Sequence, residues 1–193
     1  MRKIYWAIHP FISKEDREKQ VVYDIKDVSE EANVLSQPDD MIILEFDKGE
    51  MFGKKESADA IKGMIVILRD AGFNFRHTGH NGFSDYLRIE NIQEMESLDH
   101  ALRKAYKLAF YDKYVPLKYR SFVDEKFCEE FKWIQREGKE HWKKVVKHQG
   151  KDWSHYTIES EINDYNPALC NKLDDSLLKF AKERCVHSNT SNS

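Results

Sequence analysis

The feature that most constrains this chain is Met41-Ile42-Ile43-Leu44-Glu45-Phe46, an apolar run of strand length that gives way to charge at Asp47-Lys48-Gly49. A run of this kind, with little polar alternation, predicts a strand covered on both faces and central in its sheet. Ser36-Gln37-Pro38-Asp39-Asp40 ahead of it reads as a loop. Behind it, Ala60, Ile61, Met64, Ile65, Leu68 and Ala71 recur at helical spacing, which predicts a helix over Glu56 to Ala71 with Gly72 as its stop. Phe73 to His77 and Phe83 to Ile89 then read as two strands. Thr78-Gly79-His80-Asn81-Gly82 joins them as a turn in which glycine can take positive φ.

The second half continues the pattern of helix against sheet. Leu98, Ala101, Leu102, Ala105, Leu108 and Ala109 predict a helix over Met95 to Tyr111, broken at Val115-Pro116. Helices are also expected over Val28 to Leu35, over Glu125 to Val146 with an interruption at Gly138, and over Leu173 to Arg184. Lys3 to Ile8 and Val21 to Ile25 read as short strands, and Ser188 to Ser193 as a disordered polar tail. Together these predict an α/β (α+β) chain with a single domain over residues 1–187.

Composition excludes several classes. With 11 Phe, 9 Tyr and 4 Trp in 193 residues, the chain holds too many aromatics for a disordered protein. No apolar run approaches the roughly 20 residues that span a bilayer, so no membrane partner is expected. The start Met1-Arg2-Lys3-Ile4-Tyr5-Trp6 lacks the apolar core of a signal peptide. Cys128, Cys170 and Cys185 form no Cys-x-x-Cys pair and read as reduced thiols, so a cytoplasmic location is expected. A formal charge of -3 neither favours nor excludes a polyanionic partner.

Two constellations could carry chemistry. Residues two apart in a strand point to one face, so Glu45 and Asp47 would present their carboxylates side by side. Such a pair suits a hard cation, Mg²⁺ or Mn²⁺, which takes carboxylate oxygens together with substrate phosphates. A strand emerging into solvent explains the same residues without a ligand. The second constellation is the stretch from Phe75 to Tyr86, where backbone N–H groups of a glycine-rich turn can approach phosphate oxygens and Arg76 and the histidines add positive potential. The turn's own geometry accounts for Asn81-Gly82 equally well.

A strand with closely spaced carboxylates, a helix, a second strand and a Ser/Thr-Gly-x-x-Gly-aromatic turn resembles the layout of the archaeo-eukaryotic primase superfamily, across residues 40–145. The family's first motif is an acidic pair on a strand; Glu45 and Asp47 match it, with Glu where Asp is usual. Its second motif is a small residue, then Gly-x-x-Gly-aromatic-His. Thr78-Gly79-His80-Asn81-Gly82-Phe83 follows that pattern until Ser84 stands in the place of the histidine. Phe122-Val123-Asp124 resembles the third motif, an apolar pair before Asp, and Arg136 with His141-Trp142-Lys143 resembles the basic residue and His-x-Lys-like element beyond it.

The resemblance implies a primase-like core with an RNA-recognition-motif-like sheet, mixed or antiparallel, packed by helices. The function it implies is that of a DNA primase or primase-polymerase, a template-dependent nucleotidyltransferase that joins nucleoside triphosphates on single-stranded DNA. Glu45, Asp47 and Asp124 would be the catalytic, metal-holding carboxylates for Mg²⁺ or Mn²⁺. Thr78, His80, Ser84, Arg136, His141 and Lys143 would bind the nucleotide. The template would lie on Lys139, Lys143, Lys144, Lys147 and Trp142, with Trp133 and Trp153 as further candidates, and a larger primase subunit or a helicase would be a partner.

Three other readings compete. Ser84 in place of histidine is what a non-catalytic accessory subunit, gripping DNA or nucleotide, would carry. His155-Tyr156-Thr157-Ile158 resembles one His-x-Thr motif of phosphoesterases that need two, but His77-Thr78 lacks the intervening residue of a second copy. Finally, Asp124 also suits a helix N-cap, and Arg136, Lys143 and Lys144 a solvated helix face, as in a protein with no site at all.

Overall fold

The computed structural model describes residues 3–5, 22–24, 34–36, 39–47, 54–79, 84–123, 133–135, 156–157 and 165–190. In chain order the described elements are β1 (Lys3–Tyr5), β2 (Val22–Asp24), β3 (Val34–Ser36), β4 (Ile42–Asp47), α1 (Lys54–Asp70), β5 (Phe75–Gly79) and β6 (Ser84–Ile89). A 3₁₀ turn (Met95–Ser97), α2 (His100–Tyr114), α3 (Leu117–Arg120), β7 (Trp133–Gln135), β8 (Tyr156–Thr157) and α4 (Asp175–Thr190) complete them. The architecture is α+β. The main sheet runs β4-β6-β5-β8 with every neighbouring pair antiparallel, while β1 pairs with β2 and β3 with β7.

β4 and β5 are therefore parallel, with β6 inserted between them and α1 making the crossover. Ile42, Leu44 and Phe46 of β4, Leu87 and Ile89 of β6 and Phe75 of β5 share one face and one core. Against them pack Ala60, Ile61, Met64, Ile65 and Leu68 of α1 and Tyr106, Ala109 and Phe110 of α2. Each fully buried Leu, Ile or Phe in such a layer stabilises the fold by about 1.5–3 kcal/mol. Met41, Ile43 and Tyr86 form a second, smaller cluster on the opposite face of the sheet.

The expected double burial of β4 is present: Met41 to Leu44 and Phe46 are all buried. Its expected central position is not. Among the described residues β4 is the edge of its ladder, with one antiparallel bridge, between Phe46 and Val123, beyond it. An apolar run reports that both faces are covered; it carries no information on how many neighbours the strand has within its sheet.

α1 ends as its sequence requires. Gly72 takes φ 81°, its N–H donates to Arg69 O, and the Phe73 N–H reaches back to Leu68 O, which together make a Schellman stop. α2 starts later than its apolar spacing suggests, because the Asp99 carboxylate accepts from the Leu102 N–H at 2.9 Å and caps the helix there, leaving Met95–Ser97 as a separate 3₁₀ turn. Two expected helices give way to strand where they are described. Val34 to Ser36 pairs with Trp133 to Gln135, so β-branched and aromatic residues find cross-strand partners that helical spacing alone does not foresee. α4 runs to Thr190, so the polar residues from Ser188 to Thr190 continue a helix rather than begin a tail. Among the described residues, no helix is long and apolar enough to cross a membrane.

α4 is held to α2 through Asp174. Its Oδ1 accepts from the backbone N–H groups of Ser176 and Leu177, and its Oδ2 from Lys113 Nζ at 2.6 Å and from the Tyr114 hydroxyl. Its own N–H donates to the Tyr106 hydroxyl at 2.9 Å. Burial by itself would raise the Asp174 pKa, but the hydrogen bonds from Lys113, Ser176 and Leu177 prevail and hold it well below the ordinary carboxylate range. Burial pushes the Tyr106 hydroxyl up to about 12, so it stays neutral.

A depressed folded-state pKa contributes stability that is complete above the unfolded value, about 3.9 for Asp, and is lost as pH falls through the folded value. Lys113, raised by the same carboxylate, contributes in the opposite limb: fully below its unfolded pKa of about 10.4, and lost as pH rises through the folded one. Asp174→Asn should flatten the fall of melting temperature below about pH 4. Asp174→Ala, which also removes the cap, should cost about 1 kcal/mol at neutral pH. Thermal melts across pH check both, and an unchanged acid limb in the Asn variant would contradict the assignment.

Candidate active site

The residues that sequence analysis singled out from two separate segments meet at one end of the main sheet. Asp47 closes β4 and Ser84 opens β6, and the register places them directly opposite each other. Glu45 stands opposite Tyr86, which in turn stands opposite Thr78 on β5; Gly79 pairs with Asp85. Strand alternation puts Leu44 and Phe46 on the helix-covered face and assigns the positions of Glu45 and Asp47 to the other one. The two acidic positions therefore share a face of the sheet.

Glu45 is half-buried, and its Oε1 accepts a hydrogen bond from the Tyr86 hydroxyl at 3.1 Å. Tyr86 is itself buried, its ring lodged with Met41 and Ile43. Thr78 is fully buried between its register partners Tyr86 and Thr157, and among the described residues its hydroxyl has no hydrogen-bond partner. Val123 comes in from another direction. Phe46, between the two carboxylates in sequence, bridges Val123, the residue that precedes Asp124. Asp124 itself, His80, Arg136, His141 and Lys143 lie outside the described residues, as do the template candidates Lys139, Lys144, Lys147, Trp142 and Trp153. Trp133 is described, as the first residue of β7, opposite Ser36.

Arg76 and His77, expected to add positive potential, each face a carboxylate of the sheet. Arg76 NH2 lies 2.8 Å from Glu90 Oε1, with its guanidinium over the Tyr165 ring, and Arg88 NH1 lies 3.8 Å from the same carboxylate oxygen. Tyr165 donates to Glu90 Oε2 at 3.0 Å. His77 belongs to the helix-covered face, opposite Leu87, with Nε2 3.7 Å from Asp85 Oδ2 and both side chains about nine-tenths buried. Among the described residues neither ring nitrogen has a hydrogen-bond partner, and neither does the buried Ser57 hydroxyl in the first turn of α1.

Sequence reasoning missed Tyr86 as the partner of Glu45 and Asp85 as the neighbour of His77. The parity of β6 held the signal: Asp85 alternates in step with Leu87 and Ile89, and Tyr86 out of step with them. At the carboxylate end, the register positions on the face of Glu45 are held by oxygen-bearing residue types, Glu45, Asp47, Thr78, Ser84 and Tyr86. That donor chemistry fits Mg²⁺ or Mn²⁺ rather than a thiophilic metal. Among the described residues no group of three or more His, Cys, Asp or Glu side chains is placed to hold a metal ion. No described protein family, curated protein or solved structure matches the chain.

Proposed function

We propose that this chain is a template-dependent nucleotidyltransferase of primase or primase-polymerase type, joining nucleoside triphosphates on single-stranded DNA. The observation that carries the reading is the convergence of three segments at one end of the sheet: Glu45 and Asp47 on β4, Ser84 directly across from Asp47, and Val123 bridged to Phe46. The arrangement β4-α1-β5-β6-α2, with β6 between two parallel strands and both helices contributing to one core, supports an RNA-recognition-motif-like, primase-like sheet.

In this reading Glu45, Asp47 and Asp124 hold Mg²⁺ or Mn²⁺, which supplies charge neutralisation at the phosphates and a lowered pKa at the attacking 3′-hydroxyl. Ser84 donates a hydrogen bond to a phosphate oxygen in place of the family's histidine. Arg136, His141 and Lys143 bind the triphosphate tail, and the basic and aromatic residues from Lys139 to Trp153 carry the template without reading its sequence. The 3′-oxygen bonds to the α-phosphorus and pyrophosphate departs.

The test is synthesis on single-stranded DNA with labelled nucleoside triphosphates and Mg²⁺ or Mn²⁺, comparing the native chain with Asp47→Ala. We expect product from the native chain and a loss of at least about a hundredfold in the variant, on the scale of removing one group that stabilises transition-state charge. Undiminished synthesis by the variant refutes the assignment of Asp47. A native chain that makes no product but binds single-stranded DNA equally well with and without a chelator is instead an accessory subunit.

A further inference from the structure

We propose that the turn from Pro116 to Val123 is a strap that closes over the edge of β4, and that Tyr119, seated against Gly63 of α1, is the latch that keeps it closed. The latch needs neither a cation nor a nucleotide. A glycine in the middle of a helix weakens it relative to alanine, and Gly63 lies in the middle of α1. What it admits is an aromatic ring. A Cβ at this position would lie 2.7 Å from Tyr119 Cε2 and closer still to Cζ and the hydroxyl oxygen, so the seated ring and a side chain at position 63 exclude one another. Tyr119 packs half-buried against the main core, and Lys118 Nζ stands 4.7 Å from the centre of its ring.

The strap is tied to itself and to the end of α2. The Tyr119 N–H donates to Pro116 O, the Phe122 N–H to Tyr119 O and the Val123 N–H to Arg120 O, while the Arg120 guanidinium donates to the carbonyls of Val115 and Asp112. These bonds cross neither to α1 nor to the sheet, so the turn can pivot as a unit without breaking them. Leu117, near its start, is 82% exposed and gives no anchorage. Buried Val115 is the pivot, and buried Val123 is the far end, which reaches β4 through the bridge to Phe46. A covered edge strand is protected from stray pairing. Between pivot and bridge, the ring of Tyr119 meets α1 at Gly63. Seating that ring therefore closes the β4 edge at the end that carries Glu45 and Asp47.

Local opening of this kind shows as proteolysis at bonds that the closed fold protects. Trypsin can cut after Lys118 and Arg120 within the strap, and after Lys104 of α2 and Lys179 of α4 outside it. The experiment digests the full chain briefly under native conditions, quantifies each cut by mass spectrometry and records the melting temperature. Gly63→Ala should speed cleavage after Lys118 and Arg120 by about tenfold or more and leave the two outside bonds at their native rates. Its melting temperature should stay within about 4 °C of native, since alanine returns helix stability to α1. Tyr119→Ala should open the strap as well, and adding Gly63→Ala to it should add nothing, because both changes remove one contact. Tyr119→Phe keeps the ring and should be cut at the native rate. Native-rate cleavage of the strap in Gly63→Ala overturns the latch. Acceleration at all four bonds alike overturns it too, since the whole fold would then be opening, and so do independent, multiplying effects of the two alanine changes.

Discussion

Replacing Asn171 by leucine should cost about 3–5 kcal/mol of stability, read as a fall in the urea midpoint at constant m. Asn171 is 5% exposed, and one side chain answers three backbone groups. Its Oδ1 accepts from the Asn74 N–H at 2.9 Å, and its Nδ2 donates to the carbonyls of Asn74 and Glu90, each at 2.8 Å. Leucine matches the shape and leaves all three without a partner, and each such group costs about 1–3 kcal/mol. Asn171→Asp is the sharper test. It keeps the bond from Asn74 N–H but turns a carboxylate oxygen toward two carbonyls, so at neutral pH it should be at least as damaging, with partial recovery as the carboxyl protonates in acid. A cost below about 1 kcal/mol for the leucine variant would contradict this account.

Arg103→Met should cost a similar amount, about 3–5 kcal/mol, because it removes one partner from a largely buried ion pair together with three carbonyl contacts. The guanidinium donates to the carbonyls of Met95, Glu96 and Leu98, the last at 2.7 Å, and lies 2.9 Å from the Asp39 carboxylate. It thereby ties the turn ahead of α2 to the residues that lead into β4. Arg103→Lys supplies the charge without the planar fork and should recover only part of the loss. Differential scanning calorimetry of both variants decides the matter, and equal stability of the Met variant and the native chain would show that these contacts contribute nothing net.

The parts of the fold that were legible in the sequence are those set by neighbours along the chain. α1 follows from one apolar stripe and one glycine, and the β5–β6 pair from two apolar runs around a turn. Illegible parts depend on partners far away. Nothing within Tyr165 to Asn171 has a period, and Asn171 acquires its meaning from Asn74, 97 residues earlier. Val34 and Leu35 became strand because Ile134 and Gln135 reached them. The candidate site divides in the same way: alternation alone gives Glu45 and Asp47 a common face, whereas the burial of Thr78 and the hydrogen bond from Tyr86 depend on how β6 threads between its neighbours.

That threading has a consequence for the order in which a newly made chain acquires its parts. Among the described residues β4 has no ladder partner until β6 exists, since β5, which follows it more closely, lies on the far side of β6. The β5–β6 hairpin can close locally within microseconds, but β4 must then be laid against it across the whole of α1. During synthesis from the N-terminus, Glu45 and Asp47 leave the ribosome well before Ser84 and Tyr86, and the carboxylate end is assembled only when the sheet is.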